Sequence, residues 1–289
     1  MLWVGKLAYK LLWVFTKIND KKTKIIYPLK SKIDEFSFLY KKSKILCNFY
    51  HMDEEIKPMV IDIHGGGWAY GSKDSNSSYN DYFAQNGFNE VSLSYKFLFK
   101  ADHYEMLHQI DLLVEYLLEN KDKFHINENS LFLSGDSAGG ELALYYALIM
   151  ENDYLLKLYN FKKKHISGVI ASHGGFFLKE IHAKYQEYAN KFLFGKKYKE
   201  NPYFINFNIE KDILNLKTPL LLISSKGDDD FVGPNTKKLV KIMDENNVKY
   251  DLIFVDKKEC GHIFHVFNPY TEDALPVNEK TLEWLKTKI

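Results

Sequence analysis

The chain has 289 residues, of which 46% are hydrophobic and 16% aromatic, and this composition excludes a disordered protein. Its 39 basic and 38 acidic side chains leave a formal net charge of +1, which gives no electrostatic reason to expect a nucleic-acid partner. Every basic residue is lysine, so no guanidinium group is present to bind an anionic substrate through two hydrogen bonds.

The two cysteines, Cys47 and Cys260, lie far apart in the sequence and form no CxxC pair. This spacing indicates neither a disulfide framework nor a zinc knuckle. Reduced thiols in a cytoplasmic protein are the simpler interpretation.

The first 20 residues are typical of an amphipathic helix. Lysines on one narrow face leave a wide apolar face on the other side. The segment lacks the small-residue cleavage site of a signal peptide, and it is too short and too charged for a membrane span. We expect it to pack on the body of the protein, with attachment to a membrane surface as the alternative. The lysines are Lys6, Lys10 and Lys17.

Two early segments, 24–30 and 42–50, are predicted to form a hairpin near the edge of a sheet. Short apolar runs then alternate with helical patterns, among them a helix over 104–120 whose apolar residues recur with the 3.6-residue period. Strands this apolar are buried on both faces, which predicts a mostly parallel sheet covered by helices. The further strands are predicted at 59–63, 91–95, 131–134, 166–172, 219–225 and 250–255, and the later helices after residue 137, over 235–246 and at the C-terminus.

One interval, 173–215, interrupts this alternation. It is rich in aromatic residues and irregular in pattern, and we expect an insertion that lies over the C-terminal edge of the sheet. No repeat or linker divides the chain, so residues 1–289 are predicted to form a single α/β domain.

The sequence Gly135-Asp136-Ser137-Ala138-Gly139 follows the strand 131–134 and precedes a helix. It fits G-x-S-x-G, a sharp strand-to-helix turn that exposes the serine oxygen as a nucleophile. The serine also lies at the N-terminus of a helix, where free N–H groups and the helix dipole favour a developing negative charge.

A second motif, His64-Gly65-Gly66-Gly67, follows the strand 59–63 directly. Consecutive glycines leave backbone N–H groups unshielded, as an oxyanion hole requires. A phosphate-binding loop is not indicated, because no Gly-Lys-Ser/Thr sequence follows.

Candidate acids and bases follow two later strands. The acidic run 228–230 comes after the strand 219–225, and His262 and His265 come after the strand 250–255. The order serine, aspartate, histidine, each after its own strand, is the order of an α/β-hydrolase triad. Zinc is not indicated, because no HExxH sequence or set of cysteines and histidines is present.

With both motifs, HGGGW and GDSAGG, the chain resembles the hormone-sensitive-lipase-like branch of the α/β-hydrolase carboxylesterases from about residue 55 to the C-terminus. The resemblance implies an α/β-hydrolase fold with a small helical cap, to which residues 1–20 and 173–215 would contribute. It implies Ser137 as the nucleophile and His262, in an H-x-F pattern, as the base. The oxyanion donors that it implies are Gly65, Gly66 and Ala138.

The acid is the member of the triad on which the sequence departs from the family. The family usually has D-P-L-R-D-E where this chain has DDDFVGP, and the family's Y-R-L-A-P-E segment has also diverged. The spacing from an aspartate to an apolar residue favours Asp230, with Asp229 second and Asp228 third.

The resulting expectation is a cofactor-free serine hydrolase of small carboxylic esters with short acyl chains. An amidase, formamidase or peptidase with the same triad is the alternative within enzymes. A hydrolase fold that has lost catalysis and serves as a binding protein is the alternative in another class.

Overall fold

A computed structural model describes residues 27–180 and 186–289 of the chain. One eight-stranded sheet runs through this part, with its strands in the order β1-β2-β4-β3-β5-β6-β7-β8. The strands are β1 Lys32–Tyr40, β2 Ser43–His51, β3 Lys57–Ile63, β4 Asn89–Leu93, β5 Ile126–Asp136, β6 Gly168–Ser172, β7 Leu220–Ser225 and β8 Asp251–Val255.

The strands from β4 to β8 are all parallel, whereas β2 is antiparallel to both of its neighbours, β1 and β4. This arrangement confirms the predicted mostly parallel sheet. The hairpin at its edge is also present, but its first strand is β1 and not 24–30. Residues 27–30 form no strand, and Pro28 has no N–H to donate to a ladder. Exposed residues at the start of β1 hid its alternation in the sequence.

Ten α-helices surround the sheet in the described part of the chain. The predicted helix over 104–120 is α2, and it begins with a capping box between Asp102 and Glu105. The helices are α1 Ser77–Gln85, α2 His103–Glu119, α3 Ala138–Glu151, α4 Asp153–Tyr159, α5 Gln186–Phe194, α6 Pro202–Asn206, α7 Ile209–Asp212, α8 Gly233–Glu245, α9 Phe264–Phe267 and α10 Leu275–Lys286.

Side chains of the central strands point alternately to two separate hydrophobic cores. In β5, Leu131 and Leu133 join the core that contains α2, α3 and α8, whereas Phe132 joins the core that contains α1 and α10. This is the two-residue period of a strand that is buried on both faces. The sheet therefore holds the C-terminal ends of its parallel strands at one rigid edge.

The predicted insertion 173–215 contains α5, α6 and α7 between β6 and β7. Phe192 of α5 packs on Phe99, with ring centroids 5.4 Å apart, so the insertion contacts the segment that follows β4. The predicted cap helix, residues 1–20, lies outside the described residues. Within the described part, no helix combines the length and the hydrophobicity that crossing a bilayer requires.

Candidate active site

Ser137 lies in the sharp turn between β5, which ends at Asp136, and α3, which begins at Ala138. Its φ of 53° and ψ of −116° lie outside the ordinary regions for a residue with a side chain, and strain of this kind concentrates at functional sites. A Cβ at Gly139 would lie 2.8 Å from the carbonyl oxygen of His64. Only glycine therefore fits at that position, as the G-x-S-x-G pattern predicts.

His262 forms a hydrogen bond with Asp228, with 2.9 Å between Nδ1 and Oδ1. The aspartate is 1% exposed, and the histidine side chain is 23% exposed. An ionised carboxylate can only accept, so in this pair the Nδ1–H of His262 donates. That tautomer leaves Nε2 unprotonated, which is the state that a general base needs.

The choice of Asp230 as the partner of His262 is corrected by this contact. Asp230 is exposed, and Asp229 pairs with Lys237 at 2.7 Å, so neither occupies the position beside the imidazole. Asp228 ends a 3₁₀ turn that begins directly after β7. The turn packs closely against the loop that carries His262. A Cβ at Gly227 would lie 2.6 Å from the carbonyl carbon of Cys260 in that loop.

The sequence rule, which used Val232 as its apolar marker, failed because Val232 is only half-buried and does not select one aspartate of the run. Phe231, which lies between Asp230 and Val232, is 67% exposed. Its ring lies edge-on to His262 instead, with centroids 4.8 Å apart. An exposed aromatic ring beside the imidazole is available to contact a substrate. The spacing rule did not indicate that Phe231 would lie beside His262.

The second histidine, His265, is fully buried. Its Nδ1 lies 2.9 Å from Oδ1 of Asn278, and the Asn278 amide donates in turn to two backbone carbonyls. Burial lowers the pKa of His265 to about 4, so it is neutral at ordinary pH. These contacts indicate a structural role for His265.

Gly65 lies beside the serine, because a Cβ at Gly65 would be 3.1 Å from the Cβ of Ser137. Its N–H donates to Oδ1 of Asp136 over 3.0 Å, and the amide of Asn76 donates to the same oxygen over 2.8 Å. The prediction of Gly65 as an oxyanion donor is therefore corrected, because its N–H is already bonded to a buried carboxylate. Burial also raises the pKa of that carboxyl group.

The other two predicted donors have N–H groups without such partners. In the part of the chain that the structure describes, no acceptor takes the N–H of Gly66. Ala138 is the first residue of α3, so its N–H has no acceptor within the helix. These two N–H groups remain candidates for binding a negative oxygen near Ser137.

His64, the first residue of the glycine motif, is buried and stacks on Tyr95 with ring centroids 4.3 Å apart. Its Nδ1 lies 2.7 Å from the carbonyl oxygen of Gly65, and burial lowers its pKa to about 4. The Tyr95 hydroxyl donates to the His64 carbonyl over 2.8 Å. These contacts hold the His64 ring against the backbone of the glycine turn.

A hydrogen-bond chain that was not predicted from the sequence runs from His173 through Ser225 to Cys260, in the loop that carries His262. The hydroxyl of Ser225 donates to the carbonyl of Cys260 over 2.6 Å, so its single proton is used there. His173 Nε2, 3.1 Å from the same hydroxyl, must then be the donor to Ser225. Its ring lies 5.7 Å from that of His262, and burial holds its pKa well below the usual range.

A backbone hydrogen bond connects Ser137 to the segment that contains His173. The N–H of Ser137 donates to the carbonyl of Ser172 over 2.8 Å, and Ser172 is followed directly by His173. The turn that carries Ser137, here called the serine elbow, therefore lies with the glycine turn and the Asp228–His262 pair at the C-terminal ends of the parallel strands. This is the edge at which α/β sheets bind their ligands. Among residues 27–180 and 186–289, no three His, Cys, Asp or Glu side chains are grouped to hold a metal ion.

Comparisons with known proteins identify the family and the fold of the chain. The BD-FAE family matches residues 49–242, which is more than half of the chain. Neutral cholesterol ester hydrolase 1 of Mus musculus is 33% identical over 115 residues, and that of Rattus norvegicus is 34% identical over 98 residues. These matches cover 37% and 32% of this chain but only 27% and 24% of the two relatives.

Solved structures share the fold over almost the whole chain. Esterase B from Lactobacillus rhamnosis has a TM-score of 0.86 at 21% identity, with 99% of this chain and 95% of that chain covered. An esterase from Pyrobaculum calidifontis has a TM-score of 0.71 at 17% identity, with 99% and 93% covered. The chain therefore belongs to the BD-FAE family, within the hormone-sensitive-lipase-like α/β-hydrolases.

Proposed function

We propose that the protein hydrolyses carboxylic esters through Ser137, His262 and Asp228. The observation that carries the proposal is the 2.9 Å bond between the buried Asp228 and Nδ1 of His262, at the sheet edge that also presents the serine elbow. A buried carboxylate on the far nitrogen of an accessible imidazole is the arrangement that makes a serine nucleophilic.

In the first half-reaction, Nε2 of His262 takes the hydroxyl proton of Ser137 while the serine oxygen attacks the ester carbonyl carbon. Asp228 holds the imidazole in the required tautomer and stabilises the imidazolium that forms. The tetrahedral intermediate then collapses, the bond to the alcohol oxygen breaks, and His262 gives its proton to the departing alcohol. An acyl group remains on Ser137.

We assign the stabilisation of the tetrahedral oxygen to the N–H groups of Gly66 and Ala138. Support comes from the absence of an acceptor for either N–H among the described residues, and from the position of Ala138 at the N-terminus of α3, where the helix dipole favours a negative charge. In the second half-reaction, water gives a proton to His262 and attacks the acyl carbon, which releases the carboxylic acid and restores the serine.

The substrate class that we propose is a small ester with a short acyl chain. Esterase B from Lactobacillus rhamnosis, which shares the fold, is described with a tributyrin phosphonate inhibitor, and the similar mammalian proteins are named for cholesterol ester hydrolysis. Both are carboxylic ester chemistries. The exposed ring of Phe231 beside His262 offers apolar contact to such a substrate.

A fluorophosphonate probe, which reacts with activated serines, tests the proposal. We expect the wild-type protein to be labelled and the Ser137→Ala variant not to be. Ser43→Ala, at a half-buried serine in the β1–β2 hairpin, is the matched control and should be labelled like the wild type. Absence of labelling in a folded wild-type protein would favour the binding-protein alternative.

The acyl length is tested with p-nitrophenyl esters from acetate to palmitate. We expect kcat/KM to be highest between acetate and about hexanoate, because the insertion 173–215, which we expect to lie over the site, contains only the short helices α5, α6 and α7. Faster hydrolysis of the palmitate than of the butyrate would overturn the short-chain assignment and would favour a lipase that works at a membrane surface.

A further inference from the structure

A fully buried carboxylate, Glu141, lies in the first turn of α3, four residues after Ser137. All the remaining residues from Ala138 to Met150 are buried as well, so the carboxylate lies in the interior of the protein. An ionised group in such a position is costly unless it is fully hydrogen-bonded. A residue of this kind, one helical turn from the nucleophile, calls for a functional explanation.

Two donors from separate segments satisfy this carboxylate. The indole Nε1–H of Trp68 donates to Oε2 over 3.0 Å, and Nε2 of the buried His103 lies 3.0 Å from Oε1 and 3.2 Å from Oε2. Because a carboxylate only accepts, the Nε2–H of His103 is the donor. His103 begins α2, whose capping box fixes its backbone.

Trp68 belongs to the turn that carries the proposed oxyanion donor Gly66. It has a φ of 57°, a strained value for a residue with a side chain, so contacts outside the turn must hold it in place. Its carbonyl accepts the N–H of Leu98 over 2.8 Å, and its ring lies against Gly175. The bond to Glu141 is the link from this tryptophan to the helix that begins at the nucleophile.

The glycine turn is thus fixed at both ends to residues that flank Ser137. At one end, Gly65 donates to Asp136, the residue before the serine. At the other end, Trp68 donates to Glu141, on the first turn after it. The N–H of Gly66 lies between these two anchors.

We propose that Glu141 is a positioning residue that sets the oxyanion donor of Gly66 against Ser137 through the indole N–H of Trp68. This inference rests on the proposed function. A transition-state oxygen binds well only to donors that are already in place, so loosening the turn weakens binding of the transition state more than binding of the ester.

Trp68→Phe tests the proposal, because it keeps an aromatic ring and removes only the N–H donor. We expect kcat on p-nitrophenyl butyrate to fall by about 10- to 100-fold and KM to stay within about twofold. This loss is smaller than that caused by deleting an oxyanion donor, which lowers kcat by about 10²- to 10³-fold. Binding of a trifluoromethyl ketone, which forms a tetrahedral adduct, should weaken in parallel. Glu141→Gln, which retains an acceptor for the indole, should keep far more kcat than Glu141→Leu.

Trp284→Phe is the matched control. Trp284 also donates its indole N–H to a carboxylate, Asp251, over 2.7 Å, but at the start of β8, the opposite end of the sheet. Both tryptophan variants lose one such bond, so a purely structural role predicts similar changes in Tm and no difference in kcat.

Equal kcat values for Trp68→Phe and Trp284→Phe would overturn the inference, as would a change confined to KM. If Glu141→Leu does not fold, the tryptophan pair still decides. A Ser137→Ala variant that retains ester turnover would instead overturn the proposed function itself, so the two failures can be told apart.

Discussion

The backbone N–H of Gly65 donates to the buried carboxylate of Asp136 over 3.0 Å, and this bond joins the glycine turn to the residue before Ser137. The glycine motif and the serine motif are therefore one structural unit, although Gly65 and Asp136 are 71 positions apart in the sequence. The turn leaves no room for a side chain at Gly65, where a Cβ would lie 2.8 Å from the carbonyl oxygen of Asp136.

We expect Gly65→Ala to displace the turn and to lower kcat by about 100-fold or more, because an oxyanion donor that is out of place stabilises no transition state. The measurement is kcat on p-nitrophenyl butyrate, with circular dichroism as a check of folding. Gly261→Ala, next to His262, is the control, because a Cβ there meets nothing within 4 Å. Similar kcat values for the two variants would contradict the close packing of Gly65 against the elbow.

The contact between Asp228 and His262 predicts the outcome of replacing each aspartate of the run by asparagine. Asp228→Asn should lower kcat by about 10⁴-fold, because an amide at this position favours the wrong tautomer of the histidine. Asp229→Asn and Asp230→Asn change exposed or half-buried carboxylates and should stay within about threefold of the wild type. A collapse of kcat in Asp230→Asn, with Asp228→Asn active, would restore the assignment from sequence.

Three buried histidines predict a loss of stability in mild acid. Burial lowers the pKa of His64 and His265 to about 4 and that of His173 well below its usual range. These three histidines therefore bind fewer protons in the folded state than in the unfolded state below about pH 6.5, so their contribution to the free energy of unfolding falls as the pH decreases from about 6.5 to about 4.

The measurement is the free energy of urea unfolding at pH 7.5, 6 and 5. In His265→Leu this free energy should depend less steeply on pH than in the wild type, because one depressed pKa is removed. His165→Leu changes an exposed histidine before β6 and is the control. An unchanged pH dependence in His265→Leu would show that His265 does not contribute to the pH dependence of the free energy of unfolding.

Much of the fold was predictable, because apolar runs that alternate with helical periods determine a parallel sheet. The strand β7, predicted over 219–225, runs from Leu220 to Ser225, and the predicted helix over 104–120 is α2. The first strand was missed, because the exposed residues at the start of β1 hide the two-residue alternation.

The site was predictable where the backbone alone determines it. The sharp turn at Ser137 needs glycine at Gly139, and this need is visible as a sequence pattern. The partner of His262 was not predictable, because three adjacent aspartates differ only in how a 3₁₀ turn directs their side chains. The His173–Ser225 bond left no sequence signal either, since it joins the side chain of Ser225, the last residue of β7, to that of His173, which follows β6.

The central claim is that Ser137 is the nucleophile of an ester hydrolase, and kcat of Ser137→Ala on p-nitrophenyl butyrate tests it most directly. We predict a fall of about 10⁴- to 10⁶-fold with an unchanged Tm, because the hydroxyl of this half-buried serine contributes little to packing. Turnover within tenfold of the wild type, in a variant that is correctly folded, would contradict the account.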